Sequence, residues 1–146
     1  MRRISVGIAL VLAALCTAVV ASAAGGAPVK VETTPDLGKV VANAQGRTLY
    51  LFRADHGTTS ACYGKCATFW PPLITSGKPV AMVGIKQSLL GTTKRKDGKL
   101  QVTYKGHPLY TFLEDKQAGM TKGEGLNAAG AKWYALAPSG STIDKD

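Results

Sequence analysis

Residues 37–55 read LGKVVANAQGRTLYLFRAD, and residues 97–115 read DGKLQVTYKGHPLYTFLED. Gly38, Lys39, Gly46, Leu49, Tyr50, Phe52 and Asp55 of the first stretch recur 60 residues later as Gly98, Lys99, Gly106, Leu109, Tyr110, Phe112 and Asp115. Self-similarity at a fixed offset marks one structural unit used twice. In each copy a short run of strand formers, Lys39–Ala42 or Lys99–Tyr104, leads into turn residues: Asn43-Ala44-Gln45-Gly46 or Lys105-Gly106-His107-Pro108. It returns through Thr48–Phe52 or Leu109–Leu113, the pattern of a β-hairpin. Side chains alternate along a strand, so Tyr50 and Phe52 share one face and Leu49 and Leu51 the other. Tyr110 and Phe112 oppose Leu109, Thr111 and Leu113 in the same way. Both faces are largely apolar, which puts these strands in the interior.

Outward from the two hairpins, each copy is followed by a Gly/Ser/Thr-rich loop and a tryptophan, Trp70 or Trp133. Between the copies, Val80–Val83 reads as a short strand and Ile85–Leu90 as a helical turn. Thr92–Arg95 reads as a strand that turns at Lys96-Asp97-Gly98-Lys99 into Leu100–Tyr104, since Asp-Gly is a hairpin signal. Residues 119–130 read as loop and Lys132–Ala137 as a final strand. The expected fold is mostly β. It is a single antiparallel β domain over residues 35–140, built from two pseudo-symmetric hairpin-containing repeats with short helical turns. The repeats run from about 37 to 73 and from about 97 to 138. Residues 24–34 read as a flexible N-terminal segment and 141–146 as a frayed tail.

Composition fits that reading. The 146 residues are 45% apolar and 18% charged, which excludes wholesale disorder and a multi-span membrane protein. Seventeen glycines, seven prolines and only 7% aromatics argue against a long-helix bundle. Residues 1–23 have the form of a cleaved signal peptide. Arg2 and Arg3 precede an uncharged stretch from Ile4 to Val20, and Ala21-Ser22-Ala23 offers small residues for cleavage after Ala23. A retained anchor is the alternative, but a bilayer span needs about 20 apolar residues and this one is shorter and mostly alanine. Leu15 is too bulky to precede a lipid-modified Cys16. Removing the segment leaves sixteen basic and nine acidic residues, a net charge of +7. The chain is then expected outside the cytoplasm, secreted or periplasmic, without a stable transmembrane segment.

Cys62 and Cys66 remain in that mature chain, and an even pair in an oxidising compartment is expected to form a disulfide. The closed loop is short, so its entropic contribution is about 2 kcal/mol or less. Metal binding is the alternative. Thiols with His56, His107, Met82 or Met120 would suit copper(I), a soft ion. The three-residue spacing fits neither a thioredoxin-like Cys-x-x-Cys nor a haem attachment site.

Tyr50-Leu-Phe52-Arg-Ala-Asp55 and Tyr110-Thr-Phe112-Leu-Glu-Asp115 both fit a Tyr-x-aromatic-x-x-Asp pattern. With Cys62-Tyr-Gly-Lys-Cys66-Ala, Trp70-Pro-Pro-Leu, Leu90-Gly-Thr, Asp97-Gly and Gln101-Val-Thr-Tyr104, the chain resembles the bacterial "secreted repeat of unknown function" family over about residues 35–140. That family is also described as predicted lipoproteins with this motif. The resemblance implies export and tandem duplication, and it implies no activity.

Two readings stand for the motif. Asp55 and Asp115 are either paired ligands or acids in one cleft, or each closes a turn by accepting backbone N–H groups while the tyrosines pack. Duplication favours structure, because a fold needs its corners twice and an active site rarely does. His56 and His107 occupy unmatched positions and read as solvated turn residues. The glycine-rich run 123–130 lacks the strand–helix setting of a dinucleotide site, and no serine sits in a Gly-x-Ser-x-Gly elbow. Lys94-Arg95-Lys96 with Lys99 form the one basic cluster, expected to be solvated at a hairpin tip. Without stacking aromatics in it, nucleic acid is not an expected partner. The expected function is therefore that of an exported non-enzymatic β domain without cofactor, a binding or envelope-associated module. Anionic envelope components or an envelope protein would be its partners. The alternative is a periplasmic copper or redox accessory protein using Cys62 and Cys66, and an acid–base enzyme built on Asp55 or Asp115 is a third class.

Overall fold

The computed structural model describes residues 25–145, so the signal-peptide reading of residues 1–23 lies outside the described residues. Strands β1 (Pro28–Thr34) and β2 (Gly38–Asn43) form an antiparallel hairpin, and β3 (Tyr50–Phe52) follows it. A short helix α1 (Lys65–Phe69), strands β4 (Ile74–Thr75) and β5 (Val80–Ala81) and a 3₁₀ turn (Gln87–Leu89) lead to the second unit. There β6 (Leu90–Lys94) and β7 (Leu100–Tyr104) form the matching hairpin, followed by β8 (His107–Pro108). The chain ends through β9 (Asn127–Ala128) and β10 (Ala131–Ala135).

The strands form three small sheets, ordered β2-β1-β5, β3-β10-β9 and β4-β7-β6, with β8 also on β7. Pairing is antiparallel except for β1 with β5, which run parallel. The mostly-β expectation holds, and that one parallel pair departs from a purely antiparallel domain. The sheets are interlocked by exchange. β10, from the end of the chain, pairs with β3 of the first unit in the register Trp133↔Phe52, Tyr134↔Leu51 and Ala135↔Tyr50.

Strand alternation divides the interior in two, as the sequence predicts. Leu49, Leu51 and Leu109 enter one core with Val29, Val41, Val102, Tyr104 and Leu136. Tyr50, Phe52, Tyr110 and Phe112 enter the other with Trp70, Trp133 and Cys62. The twice-used strands thus serve as the wall between two cores, which is why both of their faces are apolar.

Four expectations are corrected. Residues 24–34 are not a flexible segment from residue 28 on. Val29 and Val31 alternate with Lys30 and Glu32, Val29 is fully buried, and the outer pair forms an ion pair of 2.9 Å. The tail is not frayed through residue 143 either, because Thr142 bridges Leu136, the Ile143 N–H donates to Ala135 O, and Ile143 packs on the aromatic core. In the second copy only Lys105 and Gly106 form the turn. Both have positive φ, 48° and 78°, as a two-residue hairpin turn of matching twist requires, and His107 and Pro108 already belong to β8. The first copy uses a longer loop, in which Asn43 Oδ1 accepts the N–H groups of Gln45 and Arg47. Hence the equivalent bonds are Leu49 N–H to Val41 O and Leu109 N–H to Val102 O, and Val41 answers Val102. The one-residue difference in turn length shifts the strand correspondence by one from the uniform 60-residue offset that the sequence suggests. Finally, Leu109–Leu113 is not a continuous strand. Tyr110 makes isolated bridges to Tyr50 and Pro72, and the following Thr111 and Leu113 N–H groups donate to Pro71 O and Phe69 O.

Because Ile143 covers the aromatic core, Ile143→Ala is expected to lower the free energy of unfolding by about 1–2 kcal/mol. Urea denaturation measures this, and an unchanged midpoint would mean that the tail contributes no packing.

Candidate functional site

The two copies meet at Tyr50 and Tyr110. Their backbones exchange both bonds of an antiparallel bridge, Tyr50 N–H to Tyr110 O at 2.8 Å and Tyr110 N–H to Tyr50 O at 3.0 Å. From that point every contact comes in pairs. The Tyr50 hydroxyl donates to Asp115 Oδ2 at 2.5 Å, and the Tyr110 hydroxyl donates to Asp55 Oδ2 at 2.9 Å. Each tyrosine therefore reaches the aspartate of the other copy. The remaining carboxylate oxygens accept backbone N–H groups, Asp115 from Lys122 and Asp55 from Ala61, both at 2.8 Å.

The aromatic rings repeat the exchange. Phe52, Trp133, Trp70 and Phe112 stack in that order, with centroids 4.0, 3.9 and 4.2 Å apart. Tyr50 meets Trp70 edge-on and Tyr110 meets Trp133 edge-on. Offset and T-shaped contacts suit the ring quadrupole. Gly123 permits the closest approach, since a Cβ there would lie within 3 Å of Tyr50 and Trp70 ring atoms, and its N–H donates to the Tyr50 hydroxyl.

This is a duplicated unit closed on itself across a local twofold. The chain belongs to the family described as a secreted repeat of unknown function. The family's sequence profile matches residues 32–74 and again residues 91–137, so two secreted repeats account for most of the described chain. No curated protein and no solved structure matches it.

Among the residues singled out in the sequence, the secreted repeat brings together Tyr50, Phe52, Asp55, Tyr110, Phe112 and Asp115, as interlocked pairs and not as an open cleft. Burial, then the Asp115 carboxylate, push the Tyr50 hydroxyl far above its ordinary value of 10.0. Burial raises Tyr110 likewise, against the opposing pull of Ser60. Burial also raises the Asp55 carboxyl, while the Ala61 N–H, the Tyr110 hydroxyl and Arg95 draw it back.

Cys62 and Cys66 are joined in a disulfide, with Cα atoms 5.3 Å apart. His56 pairs with Thr59 in a tight turn, and His107 lies in β8 opposite Tyr104, its imidazole made less basic by burial and by Arg53 and Lys105. Met120 Sδ accepts the Gln117 N–H. Among the described residues no three His, Cys, Asp or Glu side chains gather as metal ligands. The copper alternative thus finds its two thiols bonded to each other and its two histidines in separate elements, His56 in a tight turn and His107 in β8.

Arg95 was expected on a solvated hairpin tip, and the structure buries it. Its guanidinium donates to Ser60 Oγ, Gln101 Oε1 and Cys62 O at 2.9, 2.8 and 2.6 Å, and it lies over the Tyr63 ring. It ties the disulfide loop to the Tyr110–Asp55 pair, because Ser60 also hydrogen-bonds the Tyr110 hydroxyl at 2.7 Å. Gln101, the second residue of β7, is fully buried, and an amide between Leu100 and Val102 is the sequence signal that a buried partner exists.

Here the twofold breaks. After β3 the chain forms the disulfide loop and α1, whereas after Phe112 it forms glycine-rich turns. Between them lies a groove of about 350 Å³. Trp70 and Phe112, from one end of the ring stack, line it together with Cys66, Phe69, Leu126 and Lys65. Phe69 and Leu126 are exposed apolar side chains at positions that no sequence motif marks.

Tyr50 and Tyr110 are expected to limit stability at alkaline pH. Their folded-state proton affinities exceed the unfolded value, so their contribution is complete below about pH 10 and is lost as pH rises above it. Two such groups are expected to give a slope near 2.7 kcal/mol per pH unit, about 1.4 from each. In Tyr110→Phe the slope should fall by about 1.4 kcal/mol per unit. Urea titrations at stepped alkaline pH measure it, and equal slopes would contradict the assignment.

Proposed function

We propose that this secreted repeat protein is an exported, non-enzymatic binding module of the bacterial envelope that holds a small apolar anion in the groove beside the disulfide. The observation that carries the reading is the groove itself, an apolar recess floored by Trp70 and Phe112 with Lys65 on its lining. Its volume falls within the range of small-molecule sites, which are mostly apolar with few polar groups to set orientation. Phe69 and Leu126 form exposed apolar walls that a ligand would cover. The positive charge expected of the mature chain attracts anions to it.

A non-catalytic role is supported by how the ionisable groups are spent. Tyr50, Tyr110, Asp55 and Asp115 satisfy one another and nearby N–H groups, and none of the four lines the groove. Export through a signal peptide cleaved after Ala23 belongs to the same proposal. It is supported by the charge and hydropathy pattern of residues 1–23, by the disulfide and by the family's description as secreted.

Anilinonaphthalene sulfonate, an aromatic anion, is the probe that tests the groove. Its fluorescence is expected to rise saturably at one site per chain. Leu126→Asp should weaken binding about tenfold or more, equivalent to about 1.4 kcal/mol, and Lys65→Ala by a smaller factor. Binding that ignores Leu126→Asp would overturn the reading.

A further inference from the structure

We propose that the loop from Lys78 to Lys86 is a membrane-contacting tip that seats the domain on an anionic lipid surface. Its sequence, KPVAMVGIK, is an apolar run bracketed by two lysines. A single exposed valine requires no explanation. A firmly held loop that turns three apolar side chains outward between two lysines does.

The loop is held on both sides. Val80 and Met82 donate their N–H groups to Ala27 O and Val29 O of the first strand and its approach. The Gln87 side chain closes the base, accepting from the Ala81 N–H and donating to Pro79 O. Gly26 lies so close to the Lys78 carbonyl that a Cβ would not fit, which fixes the root. Ile85 is buried as the inward anchor, and Gly84, with φ of 90°, makes the reversal beside Val31.

With the backbone so fixed, Val83 is 95% exposed, and Val80 and Met82 are about half exposed. Lys78 and Lys86 are also exposed. No acidic residue occurs between Asp55 and Asp97, so nothing within the loop or its flanking chain opposes the lysines. The nearest acid on the adjoining strand, Glu32, is paired with Lys30. The tip projects its apolar side chains into solvent, so a rigid protein partner would need a matching socket, whereas a fluid bilayer interface closes around a projection. Apolar side chains at the headgroup boundary with flanking lysines near anionic lipid are the physical elements of interfacial binding.

The test is co-sedimentation of the mature chain with vesicles of equal phosphatidylglycerol and phosphatidylcholine, and with phosphatidylcholine alone. Binding is expected to the anionic vesicles and to fall as salt shortens the screening length. Val83→Asp and the pair Lys78→Glu with Lys86→Glu should each reduce the partition coefficient about tenfold or more. These side chains are exposed, so the thermal midpoint should not move, and Val83→Asp should still bind anilinonaphthalene sulfonate. Leu126→Asp should still bind vesicles, which separates failure of the tip from failure of the groove. Equal partition of wild type and Val83→Asp would overturn the proposal, as would no binding to anionic vesicles. So would a wild-type dimer that Val83→Asp converts to monomer without vesicle binding, since the tip would then be a contact between copies.

Discussion

The Tyr50 hydroxyl and the Asp115 carboxylate meet in the interior from positions 65 residues apart in the chain. A buried carboxylate is costly unless its oxygens are met by donors. Asp115 is fully buried, and its two oxygens are met by Tyr50 from the other copy and by the Lys122 N–H. Asp55 and Tyr110 make the same bargain in reverse. Each copy therefore carries a carboxylate that takes one of its two hydrogen bonds from the other copy. That condition makes the pair one folding unit, and it fixes the position of everything stacked on the tyrosines.

The four-ring stack follows from that lock. Trp70 and Trp133 come from segments that follow their own hairpins, yet each packs its free face on the phenylalanine of the opposite copy. A lone repeat would expose half of the stack along with an unmatched carboxylate. Symmetry serves the frame, and asymmetry provides the surface. The disulfide and α1 belong to the first copy alone, the buried Arg95 reaches them from the second, and the groove opens where the disulfide half meets the plainer turns of the other. The exposed Lys78–Lys86 loop is likewise an insertion between copies, outside the duplicated motif.

Much of the fold was legible because repetition and alternation are local signals. The period of two in Tyr50-Leu51-Phe52 assigned side chains to the correct cores, and Asp97-Gly98 located the β6–β7 hairpin. The same alternation in Val29-Lys30-Val31-Glu32 is present in the sequence but lies outside the duplicated stretch, where no repetition marks it as a strand. Its equivalent, β6, was recognised only because a turn followed. Partner choice was not legible. Asp closing a turn predicts a backbone bond, which both aspartates make, but nothing in the spacing shows that the hydroxyl on the second oxygen comes from the other copy. The burial of Arg95 is illegible in the sequence for a related reason. Its neighbours Lys94 and Lys96 are exposed, and only long-range packing of Ser60, Cys62 and Gln101 draws it inward. The groove residues Phe69 and Leu126 carry no motif because a concave surface is a property of the assembled halves.

The exchange of tyrosine and aspartate between copies is tested most directly by a double-mutant cycle on Tyr50→Phe and Asp115→Asn, read as unfolding free energies in urea. A charge-assisted hydrogen bond in a dry interior should give a coupling energy of about 2 kcal/mol. Additivity within about 0.5 kcal/mol would mean that the two side chains do not support each other, and the account of a domain locked across its twofold would fall with it.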